Sequence, residues 1–332
     1  MRSLMFFIAV FCLFFLSSLS EAQIFQSPFG GHDIISECDY CGCAQGISPM
    51  QTGSTGIRYD VGSLYLGAPY NGSTRLAETG AHESFLTNKI TMVYRFAESP
   101  ITVSLAVPYV VRKSQELVDN GFQAFQGNGI GDVAAFVRYN HHHYVDETMV
   151  AFSFSAGVKF PTGKNNITLP SGDYLDPDLQ PGTGTTDFII GTAGFLSIDR
   201  TGIFATVNAG FITGPGAPES DGNHKYGNYI NAEATVTYRI IPQDISESNL
   251  SLAMGIGFEN RAKETEGGIP IEASGGSLIY LAPGLKYLFS QGLSADAAIQ
   301  IPVHQYLGAD PLNDEFQLGQ DYRFVMGIQY SL

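Results

Sequence analysis

From Gly56 to Leu332 the chain alternates apolar and polar residues one by one, in runs of about ten to fourteen. That is the side-chain period of a β-strand. In Met149–Phe160, Val150, Phe152, Phe154, Ala156, Val158 and Phe160 face one way, and Ser153, Ser155, Gly157 and Lys159 the other. In Tyr229–Ile240, Ile230, Ala232, Ala234, Val236, Tyr238 and Ile240 oppose Asn231, Glu233, Thr235, Thr237 and Arg239. Leu293–Val303 and Tyr322–Leu332 repeat the pattern. A helix would scatter these sets around its circumference. A water-soluble β-sandwich would use strands of about five or six residues. Strands twice that length, with one face nearly pure Phe, Ile, Val, Leu, Tyr and Ala, predict an all-β fold: a transmembrane antiparallel β-barrel.

About twelve such segments begin near residues 56, 87, 101, 130, 148, 187, 203, 228, 250, 277, 293 and 320. Long connections, near 67–86, 113–129, 161–186, 214–227, 262–276 and 307–319, alternate with short ones near 97–100, 140–147, 199–202, 242–249 and 290–292. An even strand count with both termini on the short-turn side requires that phase, with long loops outside and short turns in the periplasm. Ahead of the barrel, Arg2, the apolar run Leu4–Leu16 and the small residues of Ser20-Glu21-Ala22 read as a secretory signal peptide. The expected organisation is a signal peptide at 1–22, a Cys-containing plug or periplasmic segment at 23–55, and the barrel at 56–332. The expected location is the bacterial outer membrane.

Composition agrees. Only 15% of residues are charged, 38 are Gly, and 40 are Phe or Tyr (23 and 17) with no Trp, which suits strands facing lipid on one side. A net charge of −15 leaves no basic stripe for phosphates, so no nucleic-acid partner is expected. Past the signal peptide three cysteines remain, Cys38, Cys41 and Cys43, near His32 and Asp33. They are compatible with a local disulfide, a soft-metal site completed by His32, or redox or intermolecular pairing. A possible metal there is the one cofactor the sequence suggests. A barrel of this size has a backbone radius of about 12 Å, too narrow to sheath a multihaem cytochrome.

Three further segments carry a resemblance. They are Gly129-Ile130-Gly131-Asp132-Val133, Phe160-Pro161-Thr162-Gly163, and Leu179 through Phe188 (LQPGTGTTDF). Together they resemble the outer-membrane family of meta-pathway phenol-degradation transporters, relatives of the fatty-acid and aromatic-hydrocarbon channels. The resemblance implies a barrel that passes hydrophobic or aromatic small molecules. The C-terminal strand, ending in Tyr330-Ser331-Leu332, is similar to the strand by which the barrel-assembly machinery recognises its clients, although the usual last residue there is Phe.

Catalytic signals are weak. Gly127-x-Gly129-x-Gly131 lacks the dinucleotide-binding spacing and precedes a strand. His141-His142-His143 reads as a solvated short turn. His82-x-Ser84 could form a nucleophile–base pair, but no orienting third group is evident. The chain therefore reads as a non-enzyme: a passive outer-membrane channel for small hydrophobic or aromatic molecules. The alternatives are metal handling through the cysteine segment, a lipid hydrolase, or a structural barrel. The face assignment puts Arg58, Lys89, Arg95, Arg112, Arg138, Lys159, Arg239, Lys286 and Arg323 in the lumen with Asp60, Asp132, Glu233, Glu259 and Asp296. Of these, Arg95, Arg138, Arg239, Lys159 and Asp132 are the expected solute path. Acidic external loops, including Asp173, Asp176, Asp178, Asp187, Glu219 and Glu264, point to a solvated or lipopolysaccharide-facing surface.

Overall fold

The computed structural model describes residues 55–331, apart from 98, 119–120, 146–147, 199–200, 220–221, 242–247, 291–292 and 314. The signal peptide and the segment bearing His32, Cys38, Cys41 and Cys43 lie outside the described residues. Thirteen long strands wind up and down: β1 (Thr55–Asn71), β2 (His82–Arg95), β3 (Ile101–Val118), β4 (Gly121–Ile130), β5 (Val133–Val145), β6 (Thr148–Phe160), β7 (Thr186–Ile198), β8 (Thr201–Thr213), β9 (Tyr229–Ile241), β10 (Asn249–Arg261), β11 (Gly276–Ser290), β12 (Leu293–Leu307) and β13 (Glu315–Ser331). β4 pairs with the upper part of β3 and β5 with its lower part, so the two share one stave. The result is twelve antiparallel staves. β13 pairs with β1 from Gly56↔Ser331 to Tyr70↔Gln317, which closes the sheet into a barrel without a free edge around its girth.

Alternation fixes which face meets lipid. On β13, Tyr322, Phe324, Met326, Ile328 and Tyr330 are exposed, whereas Arg323 and Val325 are buried inside. On β12, Ser294, Asp296, Ala298 and Gln300 point inward and Ile299, Ile301 and Val303 outward. Outward-facing aromatics gather near the two rims. Tyr94, Tyr139, Tyr238, Phe289 and Tyr330 lie toward the short-turn end, and Tyr109, Phe160, Phe188, Phe211, Tyr306 and Tyr322 toward the long-loop end. Aromatic girdles of this kind mark the two interfaces of a membrane barrel.

Several boundaries differ from the sequence reading. Residues 113–129 are no irregular loop: β3 runs on to Val118 and turns back as β4, a hairpin standing above the barrel. β1 likewise extends to Asn71, β2 begins at His82, and β13 begins at Glu315. These extensions rise past the lipid, where both faces are wet and the hydrophobic alternation fades. His141 to His143 are not in a turn but on β5, paired with Phe152, Ala151 and Val150. The His141 ring lies 5.0 Å from that of Phe152 on the outer face.

Candidate functional site

The lumen has two unlike linings. Around the closure seam, one row of inward positions reads Lys89, Asp60, Gly327, Asp296 and Lys286 across β2, β1, β13, β12 and β11. Gly327 leaves a gap in that row, and a Cβ there would collide with the guanidinium that fills it. Arg58 lies across β13 through the gap. It donates from Nη1 and Nη2 to Asp296 at 2.9 and 3.0 Å, and from Nε to Asp60 at 2.6 Å. A bidentate pair of this kind is strong and directional; here it ties the first stave to the eleventh over the last. Lys89 approaches Asp60 at 3.8 Å. Farther along, Tyr280 donates to Glu233 and Arg323 approaches Glu259 at 3.8 Å, all buried.

Buried apolar clusters also line the lumen, the first high on the seam staves β1 and β2 themselves and the others on β3 and β5 to β8, beside the charges of Asp132, Lys159 and Asp187. Three buried clusters follow one another down the lumen. Leu64, Leu66, Phe85, Leu175 and Leu179 lie at the loop end; Ala106, Ala134, Phe136 and Ile189 come next; Met149, Ala151, Ala193, Phe195 and Phe204 lie toward the short turns. A polar interior is the norm for barrels that pass hydrophilic solutes.

Two of those leucines belong to a loop. Residues 161–185, between β6 and β7, fold back into the barrel. Their neck is pinned by a buried carboxylate: Asp132 accepts Gly163 N through Oδ1 at 2.8 Å, and Thr183 N and Oγ1 through Oδ2 at 2.9 and 2.8 Å. Lys159 sits beside it, 2.8 Å from Asp187 and 3.5 Å from Asp132, and donates to Thr183. Thr185 donates on to Asp187. The two legs of the neck nearly touch, since a Cβ on Gly163 would lie 2.7 Å from the Cα of Gly182. Beyond the neck the loop is braced by Gln180, whose side chain donates to Ile167 O and Leu175 O and accepts from Ile167 N. At the tip, a single 3-10 turn at Pro177–Leu179 is capped by Asp176. Leu175 and Leu179 sit against the wall, and Arg112 Nη1 donates to Asp178 O at 2.9 Å.

The motif residues singled out in sequence thus converge on one structural task. Gly131, Asp132, Gly163, Gly182, Thr183, Thr185 and Asp187 build the pinned neck. Asp187, expected among the external acids, is instead inward on β7 and fully buried. Lys159 and Asp132, expected to line the solute path, are sealed in this network. Arg95, Arg138 and Arg239 lie together only in level, all toward the short-turn end of β2, β5 and β9. Leu175 escaped sequence reading and Leu179 was read only as the start of a motif, since each is an isolated apolar residue in a polar stretch.

A second lining of the mouth comes from the neighbouring loops, where Ala217–Glu219, Gly222–Lys225, Thr265–Glu266 and Ile269–Pro270 form a small sheet. Within it His224 lies 3.7 Å from Glu219 and 3.1 Å from Glu264. Burial works to lower its pKa, but the two carboxylates prevail and push it up to about 11. Asp176 is exposed on the tip, yet the protein packed around it pushes its pKa up to about 7, by loss of solvation first and then by Asp178. Among the described residues no group of three His, Cys, Asp or Glu side chains is arranged to hold a metal ion.

His82 and Ser84 are on the outer face. His82 stacks on Tyr65, centroids 5.6 Å apart, and its Nδ1 lies 3.3 Å from Gly80 O.

No family model and no curated protein sequence matches the chain. Solved structures do. An outer membrane channel from Pseudomonas putida F1 superposes with a TM-score of 0.63 at 12% identity, covering 85% of this chain and 97% of that one. The β domain of the Bordetella autotransporter Brka gives 0.48 at 11% identity, covering 84% and 100%. The CymD monoaromatic hydrocarbon channel gives 0.38 at 11% identity, covering 85% and 88%. The fold is that of outer-membrane barrels, and the bacterial outer membrane is where this chain resides.

Proposed function

We infer that the protein is a channel for the passive entry of small hydrophobic or aromatic molecules across the outer membrane. The observation that carries this reading is the run of apolar clusters in the lumen, which succeed one another from Leu64, Leu66 and Phe85 to Met149, Phe195 and Phe204. Inward Phe, Leu and Met side chains gain nothing from a water-filled pore, but they lower the cost of moving an apolar solute past a wall otherwise rich in charge. The resemblance in the neck motifs and the fold shared with the Pseudomonas putida channel agree with it. At the exit, Arg95, Arg138 and Arg239 would draw the carboxylate or phenolate end of an aromatic acid. A lipid hydrolase would need His82 to accept the Ser84 proton. That imidazole is engaged by Tyr65, and among the described residues no hydrogen bond joins it to Ser84.

The test is uptake into vesicles whose outer leaflet is lipopolysaccharide, a barrier that apolar solutes cross slowly. With the full chain inserted, neutral aromatics enter faster than into empty vesicles, and no phospholipid is cleaved. Equal entry with and without protein for every aromatic overturns the reading. Phospholipid hydrolysis that requires His82 and Ser84 transfers the case to the hydrolase.

A further inference from the structure

Resting on that channel reading, we propose that Leu64, Leu66, Phe85 and Arg112 form a binding site for a small neutral molecule with an apolar body and a carbonyl acceptor, such as an ester or ketone. The loop's own Leu175, Leu179 and Asp178 carbonyl stand in for that ligand. Each half of the ligand has its counterpart on the page. The wall offers three buried apolar side chains, and the loop answers with two leucines. Beside them, Arg112 is buried and its guanidinium lies 5.7 Å from the centroid of the Phe85 ring, so donor and apolar wall form one surface. The acceptor that the tip offers Arg112 is a backbone carbonyl at 2.9 Å, which carries no charge.

A carboxylate is the wrong occupant. Asp176 and Asp178 leave with the tip, but Glu83 on β2 and Glu116 on β3 stay beside the seat, and a further anion would be repelled by them. A neutral carbonyl takes the Arg112 hydrogen bond without that penalty. The loop is built to yield as a body: Gln180 braces it internally and Asp132 holds its neck, independently of the seat. Ligand and loop tip therefore compete, and the ligand's apparent affinity is reduced by the fraction of molecules whose seat is open.

The chain has no tryptophan, so Tyr174→Trp, at a half-exposed position beside the tip, gives a single fluorescent reporter. Titrations of the full-length protein in detergent use ethyl benzoate, ethylbenzene and benzoate, which share a body and differ in the acceptor. Ethyl benzoate is expected to shift the reporter and bind about tenfold tighter than ethylbenzene, the gain from one hydrogen bond to a charged donor. Benzoate is expected to bind most weakly. Arg112→Met should abolish the preference for the ester. Leu179→Ala, which weakens the competitor and leaves the wall intact, should tighten ethyl benzoate severalfold.

Benzoate binding tightest, an ester preference that survives Arg112→Met, or weaker binding in Leu179→Ala each overturns the proposal. The two readings separate cleanly. Vesicle uptake without any reporter response removes the seat and leaves the channel; absence of uptake for every aromatic removes the channel.

Discussion

The two linings of the lumen are held by different physics. Around the seam, Arg58, Asp60, Lys89 and Asp296 are buried charges from β1, β2 and β12 that satisfy one another. On the other side, Ala106, Ala134, Phe136 and Ile189, and then Met149, Phe195 and Phe204, are held by shape and exclusion of water. Removing one partner from the first lining strands a charge in a medium of low dielectric, so that lining is a fixed wall. Contacts in the second are non-directional, and another apolar body of similar volume can replace them. The loop 161–185 combines the two, with a polar neck that stays and an apolar tip that can leave.

The largest expected effect comes from the seam. Asp296→Ala leaves Arg58 without its bidentate partner and should destabilise the barrel by about 3–5 kcal/mol, read as a lower midpoint of denaturant unfolding in detergent. A change within error would mean that the seam is held by backbone pairing alone.

Next comes the tip. The double variant Leu175→Ala/Leu179→Ala removes about 2–5 kcal/mol of packing per site, but the loss falls on the docked loop. Hydrogen exchange should rise across 164–180 while the unfolding midpoint stays near wild type. A drop in midpoint as large as that of Asp296→Ala would erase the distinction between wall and tip.

The smallest effect is in pH. Asp176 has its pKa raised from the ordinary 3.8 to about 7, so the docked tip favours the protonated acid. Docking is therefore unpenalised at acid pH and weakens as pH rises through 7. The groups acting on Asp176 include Asp178 on its own loop, Glu219 from the loop after β8 and Glu116 on β3. Quencher access to the Tyr174→Trp reporter should increase between pH 5 and 8, and Asp176→Asn should flatten that rise. A profile that is already flat with Asp176 present would remove its role.

How much of this the sequence disclosed follows the same division. Within the membrane each stave has lipid on one side and lumen on the other, so β6, β12 and β13 could be read by parity, and the inward charges with them. The partners were not legible. Arg58 meets Asp296 from 238 positions away, and the glycine that permits it, Gly327, lies on a third strand. β4 was missed because Phe122, Gln123, Ala124 and Gln126 are all exposed above the barrel, where no lipid imposes alternation. The neck motifs stood out as a resemblance to a channel family, yet nothing in their spacing said that Asp132 would tie Gly163 to Thr183. Asp187 was counted with the external acids although a strand was read as starting there, because its partners Lys159 and Thr185 could not be seen in the sequence. Leu175 and Leu179 gave no periodic signal, since a loop that folds inward has no repeat.

The central claim is that solutes travel along the apolar clusters. A carboxylate placed there obstructs neutral solutes, while one placed on the seam side, where charge is already present, does not. Ala193→Asp, between Met149 and Phe204 in the lower cluster, and Ser294→Asp, on β12 beside Asp296, provide the pair. Each is first checked for a folded barrel by its resistance to unfolding in detergent. Uptake of ethylbenzene into lipopolysaccharide-leaflet vesicles should fall at least about tenfold for Ala193→Asp, the effect of a barrier raised by about 1.4 kcal/mol, and remain near wild type for Ser294→Asp. Equal uptake by the two folded variants would contradict the account.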